Sequence, residues 1–265
     1  MIHTPADLEK KITKAIDELD YERSPRSLFE PIKYILSLGG KRLRPILAYM
    51  ATNLFNDNLQ KTTAPAIGLE IFHNFSLLHD DLMDNASIRR GKQTVHTKWN
   101  ANTAILSGDA MLIDAYNHML KVDVDVLPLI LDIFNTTAMQ VCEGQQLDMD
   151  FEKRLDVIDT EYLEMIRLKT AVLVAASLKI GAIMGNASEE NADKLYDFGI
   201  NIGIAFQLKD DLLDVYGNPQ EFGKNIGGDI LSNKKTFLLI KALENSSKEK
   251  NKTLQDWIST ENSDP

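Results

Sequence analysis

The chain has a single cysteine, Cys142, so no disulfide can form within it, and the composition fits a reducing, cytoplasmic setting. It has no run approaching the roughly 18 apolar residues that a membrane-spanning helix needs. Residues 1–21 are polar and heptad-like, without the charged-then-apolar order of a signal peptide. Positive charge is in short supply as well. Lys and Arg number 29 against 39 Asp and Glu, and the net charge of −10 argues against nucleic acid or an anionic membrane surface as partner. Strand-like alternation is nearly absent: only residues 122–126 alternate apolar residues with aspartate, a weak signal that ends near Pro128. The remainder, 44% hydrophobic and 26% charged over 265 residues, is that of an ordinary globular protein able to fill one large core.

Helical periodicity runs through almost every segment. Leu8, Ile12, Ile16 and Leu19 form one stripe, and Leu28, Ile32, Ile35 and Leu36 a second that stops at Gly39-Gly40. Pro45 opens another helix through Ile46 to Leu54. Ile67, Ile71, Phe75, Leu78 and Leu82 make a fourth stripe, and residues 101–120, 133–147, 160–184 and 192–216 each read as long helices. The pattern predicts an all-α protein with one domain over residues 1–265 and a surface turn at 244–252.

Two acidic clusters of the same form stand out, Asp80-Asp81-Leu82-Met83-Asp84 and Asp210-Asp211-Leu212-Leu213-Asp214. Each puts carboxylates at i, i+1 and i+4 of a helix, so Asp80 and Asp84 share a face, as do Asp210 and Asp214. Carboxylates this close repel one another and lose hydration on burial. Phe75, Leu77 and Leu78 precede the first cluster, and Ile204, Ala205, Phe206 and Leu208 the second, company in which a solvated acidic stripe is out of place. A divalent cation relieves the repulsion, and all-oxygen donors suit Mg²⁺.

A substrate held by carboxylate-bound Mg²⁺ should be anionic, and phosphate calls for arginine and lysine. Dense cationic runs are present: Gly39-Gly40-Lys41-Arg42-Leu43-Arg44-Pro45 at a helix start, Arg89-Arg90-Gly91-Lys92 just past the first cluster, and Lys234-Lys235-Thr236. Gly39–Arg42 is not a P-loop, since no strand precedes it and no Ser or Thr follows the lysine. Together the runs imply two anionic groups, one on metal and one on cations. Residues 85–98 and 217–233 interrupt the helical pattern, and the second stretch, with Gly217, Pro219, Gly223, Lys224, Gly227 and Gly228, is glycine-rich as a closing lid would be.

In these residues the chain resembles the trans-isoprenyl diphosphate synthases, or polyprenyl synthetases, of the short-chain type. Asp80 to Asp84 followed by Arg89-Arg90-Gly91 is similar to their first aspartate-rich motif, and Phe206-Gln207-Leu208-Lys209-Asp210-Asp211-Leu212-Leu213-Asp214 to their second. Gly39 to Pro45, Gly144-Gln145 and Lys169-Thr170 match in order. The resemblance implies one helical bundle around a central prenyl-binding cavity, the type I isoprenoid synthase fold. It also implies condensation of isopentenyl diphosphate with dimethylallyl, geranyl or farnesyl diphosphate, by a homodimer.

On that resemblance Mg²⁺, three ions per active site with substrate bound, is held by Asp80, Asp84 and Asp210, with Asp81, Asp211 and Asp214 in support. Arg89, Lys169, Lys224 and Lys234 contact the allylic diphosphate. Lys41, Arg44, His73 and Arg90 bind isopentenyl diphosphate, while Gln207 and Thr170 turn oxygen dipoles toward the allylic cation. His79 orients the first cluster, and Phe72 and Phe206 read as core aromatics. Bulk beneath the first motif limits the product: Phe75, with the small Ser76 beside it, implies fifteen to twenty carbons, nearer twenty. On a helical wheel, however, Ser76 lies one turn from Asp80 and Phe75 points about 140° away.

The chain ends at Pro265, before the further C-terminal helices usual in the family, and Lys209 stands where a neutral residue is common. A class I terpene cyclase shares the fold and first motif but has no use for Lys41, Arg44 and Arg90. A metal-dependent HD phosphohydrolase would need more upstream histidines than His3 and His73. A non-catalytic subunit of a heteromeric synthase would lack some of the six aspartates.

Overall fold

The computed structural model describes residues 3–217 and 227–258, and about three quarters of them are helical. The chain divides into two compact units, Met1–Ala138 with Leu173–Gly199, and Met139–Val172 with Ile200–Pro265. Among the described residues no helix is long and apolar enough to cross a membrane.

The first unit opens with α1 (Pro5–Asp17), started by a capping box in which the Thr4 hydroxyl accepts from the Asp7 amide while Asp7 accepts from the Thr4 amide. Its buried Leu8, Ile12 and Ile16 fall at i, i+4 and i+8, and burying each contributes roughly 1.5–3 kcal/mol. Next come α2 (Arg26–Ser37), α3 (Leu43–Phe55), a 3₁₀ turn at Leu59–Thr62, and α4 (Thr63–Met83). Helix α4 is apolar on most sides and lies against α6 (Ala101–Met119), which Asn100 caps through the Thr103 amide at 2.8 Å. Gly68 permits that approach, because a Cβ there would lie 3.0 Å from the Ala115 carbonyl oxygen.

Two readings of this unit need correction. Residues 85–98 are not an open loop: Ile88–Arg89 (β1) pairs antiparallel with Lys92–Gln93 (β2), and a short α5 (Val95–Lys98) follows. Arg90 and Gly91 make the two-residue turn with φ of 53° and 72°, the pair of positive φ values that a type I′ hairpin needs. Residues 122–126 form a turn rather than a strand, and Pro128 is the second residue of α7 (Leu127–Glu152).

The 160–184 pattern is α8 (Asp159–Ile166), a π-helical turn at Arg167–Ala171, and α9 (Val172–Met184), continuous with one another. Helix α9 belongs to the first unit from Leu173 onward. There Gly181 meets α3 so closely that a Cβ would lie 2.1 Å from the Ala48 carbonyl oxygen, and the Thr52 hydroxyl donates to the Gly181 carbonyl at 2.8 Å.

In the second unit, Phe151, Val157, Tyr162, Met165, Ile166 and Ile240 form the core, with Leu147, Leu163, Ile204, Leu208 and Phe237 against it. Helix α10 (Glu189–Tyr216) enters this unit at Ile200. Past the undescribed residues come α11 (Gly228–Leu231), α12 (Phe237–Asn245), capped by Thr236, and α13 (Lys248–Ile258). The turn expected at 244–252 is confined to Ser246 and Ser247.

Candidate active site

The first acidic motif closes α4: the Asp84 amide donates to the Asp80 carbonyl at 2.9 Å, and Asp84 is the cap residue. The i, i+4 relation of Asp80 and Asp84 is thus kept. Asp81 faces inward, 3% exposed. Arg89, delivered by β1, clasps it through Nε and Nη2, with Nε at 2.9 and 2.8 Å from the two oxygens and Nη2 at 2.7 Å from one. The same Nη2 lies 3.6 Å from Asp80. Burial pushes the Asp81 carboxyl up, against the pull of Arg89. Asp80 and Asp84 keep solvent contact, and Asp81 is the residue that fixes Arg89.

The basic turn between α2 and α3 separates its cations by role. Lys41 is exposed. Arg42 is buried in left-handed conformation (φ 45°), with Nη1 2.7 Å from Glu70 and Nη2 2.5 Å from the Leu36 carbonyl oxygen, so it supports the turn instead of facing a ligand. Arg44 places Nη1 3.0 Å from Nε2 of His73, and its buried Nε has no partner among the described residues. Burial lowers the Arg44 pKa to about 10. Burial, then the neighbouring Arg44 and Arg90, push His73 well below the usual histidine range, so the ring is neutral and accepts from Arg44. Arg90 reaches back to donate to the Gly39 carbonyl, over Gly40, where a Cβ would sit 2.7 Å from the guanidinium. Arg44, His73 and Arg90 are thereby gathered around that buried donor.

His79 faces α6 through one ring nitrogen. Its Nε2 is 3.2 Å from the Ile105 carbonyl oxygen on α6, packed over Gly108, and its ring meets that of Phe75 edge-on at 4.8 Å. Phe72 is core, as expected, edge-on to Phe134 at 5.2 Å and 5.5 Å from Phe75. The Ser76 hydroxyl donates to the His73 carbonyl. His96 lies 3.3 Å from the Thr94 hydroxyl, a local contact.

In the second unit the inner carboxylate of the motif is again held. Asp211, 3% exposed, accepts from the Tyr162 hydroxyl and from Gln207 Nε2 at 3.0 Å, and burial pushes its pKa up. The Thr170 hydroxyl donates in turn to Gln207 Oε1 at 3.1 Å, giving a chain Thr170–Gln207–Asp211. Asp214 accepts the Asp229 amide at 3.1 Å while its carbonyl accepts the Gly227 amide at 2.7 Å, which ties α11 to α10. Asp210 keeps partial solvent contact. Phe206 is exposed on α10, contrary to the core reading.

Lys169 lies in the π turn, where such turns widen a helix and re-aim its side chains. Gly144 lets α7 touch that turn, since a Cβ would be 2.3 Å from the Lys169 amide nitrogen. Lys169 and Lys234 both donate to Asp148, at 2.7 and 2.9 Å, and Lys234 also to Glu152 at 2.7 Å. Burial would raise the Asp148 pKa, but the two ammonium groups outweigh it and hold it below the usual carboxylate range. Asp148, Glu152 and Tyr162 are the participants that sequence reasoning missed. Asp148 was findable as a carboxylate one turn past Gly144, between apolar Leu147 and Phe151. Lys224 lies outside the described residues.

For Mg²⁺ the donor chemistry within each unit fits: Asp80 and Asp84 in the first, and Asp210 in the second, are oxygen donors that solvent reaches. Among the described residues no three His, Cys, Asp or Glu side chains form a ready-made metal cage. Mg²⁺ is ordinarily bound by one or two carboxylates together with substrate phosphates and water.

The profile of the polyprenyl synthetase family matches residues 25–265. The chain belongs to that family. A geranylgeranyl diphosphate synthase of Methanosarcina mazei is 42% identical over 239 residues, 89% of this chain and 74% of the relative. A solved geranylgeranyl pyrophosphate synthase superposes with a TM-score of 0.92 at 46% identity, covering 97% of this chain and 78% of that one. A geranylgeranyl pyrophosphate synthase of Corynebacterium glutamicum, solved with isoprenyl diphosphate and magnesium, gives a TM-score of 0.85 at 28% identity, covering 98% and 82%. This polyprenyl synthetase is a trans-prenyltransferase that makes short-chain prenyl diphosphates. The all-α architecture is that of its solved relatives.

Proposed function

We propose that the protein condenses isopentenyl diphosphate head-to-tail with an allylic diphosphate, releasing pyrophosphate and a trans-prenyl diphosphate of fifteen to twenty carbons. The observation that carries this reading is the group Arg44, His73 and Arg90 on and around the helix that ends in the first motif. A cyclase has one diphosphate to hold, whereas a condensing enzyme needs a second cationic site. Neutral His73 orients the Arg44 guanidinium, and Lys41 and Arg90 complete the grip on isopentenyl diphosphate.

Asp80 and Asp84 of the first motif and Asp210 of the second are the proposed ligands of Mg²⁺, with three ions per active site. The bound metal neutralises charge gathering on the departing pyrophosphate. Asp81 fixes Arg89, Asp211 fixes Gln207, and Asp214 fixes the start of α11. Lys169 and Lys234, set in place by Asp148, contact the allylic diphosphate together with Arg89 and Lys224. Thr170 and Gln207, aligned by their hydrogen-bond chain, direct oxygen dipoles at the allylic cation as its C–O bond breaks. The isopentenyl double bond then attacks that cation, and pyrophosphate takes the proton.

Phe75 stands five residues before Asp80, about 7.5 Å back along the helix. It limits tail growth, and the small Ser76 beside it leaves room for twenty carbons. The enzyme acts as a cytoplasmic homodimer. Support for the dimer is the exposed stripe Leu106, Ile113 and Leu120, at seven-residue spacing along and just past α6. The whole described chain is proposed to work as one catalytic domain. Labelled isopentenyl diphosphate with Mg²⁺ and each of dimethylallyl, geranyl and farnesyl diphosphate tests the reading. A ladder stopping at fifteen or twenty carbons is expected, and products that continue past twenty would refute the role given to Phe75 and Ser76.

A further inference from the structure

We infer that Glu70 is a positioning residue for the isopentenyl diphosphate subsite, holding the basic turn in its binding shape through Arg42. The inference rests on the proposed assignment of Lys41, Arg44, His73 and Arg90 to that substrate. Glu70 lies mid-way along α4, 2% exposed, and takes no part in the metal or substrate contacts above. Its Oε1 accepts from Arg42 Nη1 at 2.7 Å and from Asn74 Nδ2 at 2.9 Å, so its own position is fixed from one turn further along the helix.

Arg42 carries that constraint to the turn. Its backbone is left-handed (φ 45°, ψ 36°), a conformation that non-glycine residues avoid, and it stands immediately before α3. Its second nitrogen, Nη2, donates to the Leu36 carbonyl, one of the end carbonyls of α2 that has no helical partner. One carboxylate therefore ties α4, the end of α2 and the start of α3 together. Lys41 and Arg44 flank the tethered residue on either side in sequence. The Gly39 carbonyl that Arg90 grips lies in the same turn.

Electrostatics point the same way. Burial depresses the Arg44 and Arg90 pKa values, and Glu70 opposes the depression in both. A buried ion pair adds little net stability compared with apolar residues of the same size. Its effect here is on shape, and on the tolerance of several cations at close quarters before any anion arrives.

Glu70→Gln keeps an acceptor for Arg42 and Asn74 and removes the charge. It should raise the KM for isopentenyl diphosphate about tenfold while the KM for the allylic substrate stays within about twofold. The double variant Arg42→Gln/Glu70→Gln leaves no unpaired buried charge, and should show the same selective loss even if the single variant does not fold. Equal changes in both KM values, or a lowered Tm with neither KM altered, would overturn the inference. Arg44→Gln separates the two layers of the argument. A selective effect there with none at Glu70 refutes the positioning role alone, whereas no selective effect at Arg44 refutes the isopentenyl assignment and the inference with it.

Discussion

Each aspartate motif looks like three equivalent carboxylates in sequence, yet the fold divides their work. Asp81 and Asp211 are buried and spoken for by Arg89 and by Tyr162 with Gln207, while Asp80, Asp84 and Asp210 keep solvent contact. Asp80→Asn should lower kcat on the order of 10²–10³-fold with little change in Tm, as expected when charge stabilisation is lost in the transition state. Asp81→Asn should instead cost about 2 kcal/mol of stability, less than for a fully buried pair because Arg89 still reaches solvent. Thermal melts beside initial rates distinguish the two.

His73 offers a pH test. Its folded pKa lies below the unfolded value near 6.5, so the unfolded chain takes up the proton first and stability falls as pH drops below about 6.5. Denaturant titrations from pH 7.5 to 5 should show that slope, and His73→Gln should remove up to about 1.4 kcal/mol per pH unit of it. At this scale the residue types were legible in the sequence. Which carboxylate points inward, and that Arg42 is tied to Glu70 while Arg44 meets His73, was not, because such near neighbours differ only once the helix is docked.

Among the elements, most long helices were readable almost to their ends, since apolar spacing and caps such as Thr4, Asn100 and Thr236 act locally, but α7 starts six residues before and ends five after the stretch read at 133–147. Three features escaped. The β1–β2 hairpin is two residues per strand and turns on Arg90 with positive φ, which side-chain identity does not signal. The π turn at Arg167–Ala171 follows from how closely α7 and α10 press on it at Gly144 and Gly203. Asp148 gains its meaning from lysines 21 and 86 positions away. Gly144→Ala tests the second of these. Its Cβ would meet the Lys169 backbone at 2.3 Å, so about 1–3 kcal/mol of stability should be lost to overpacking. Because Lys169 must shift, the KM for the allylic diphosphate should rise as well, about tenfold. A loss of stability with unchanged KM would detach Lys169 from that substrate.

For the whole molecule, family membership, the all-α fold and a prenyl-transfer chemistry agree. The proposed dimer is testable through α6: with Ile113, 63% exposed in the single chain, at its interface, the parent should sediment as a dimer and Ile113→Glu as a monomer. An unchanged dimer would place the interface elsewhere. The most direct test of the central claim is pyrophosphate release, measured with both substrates, with each alone, and with a chelator present. Condensation predicts pyrophosphate only when isopentenyl diphosphate, an allylic diphosphate and Mg²⁺ are together, one for each five-carbon unit added. Pyrophosphate released from the allylic substrate alone, accompanied by a hydrocarbon, would contradict it and identify a cyclase.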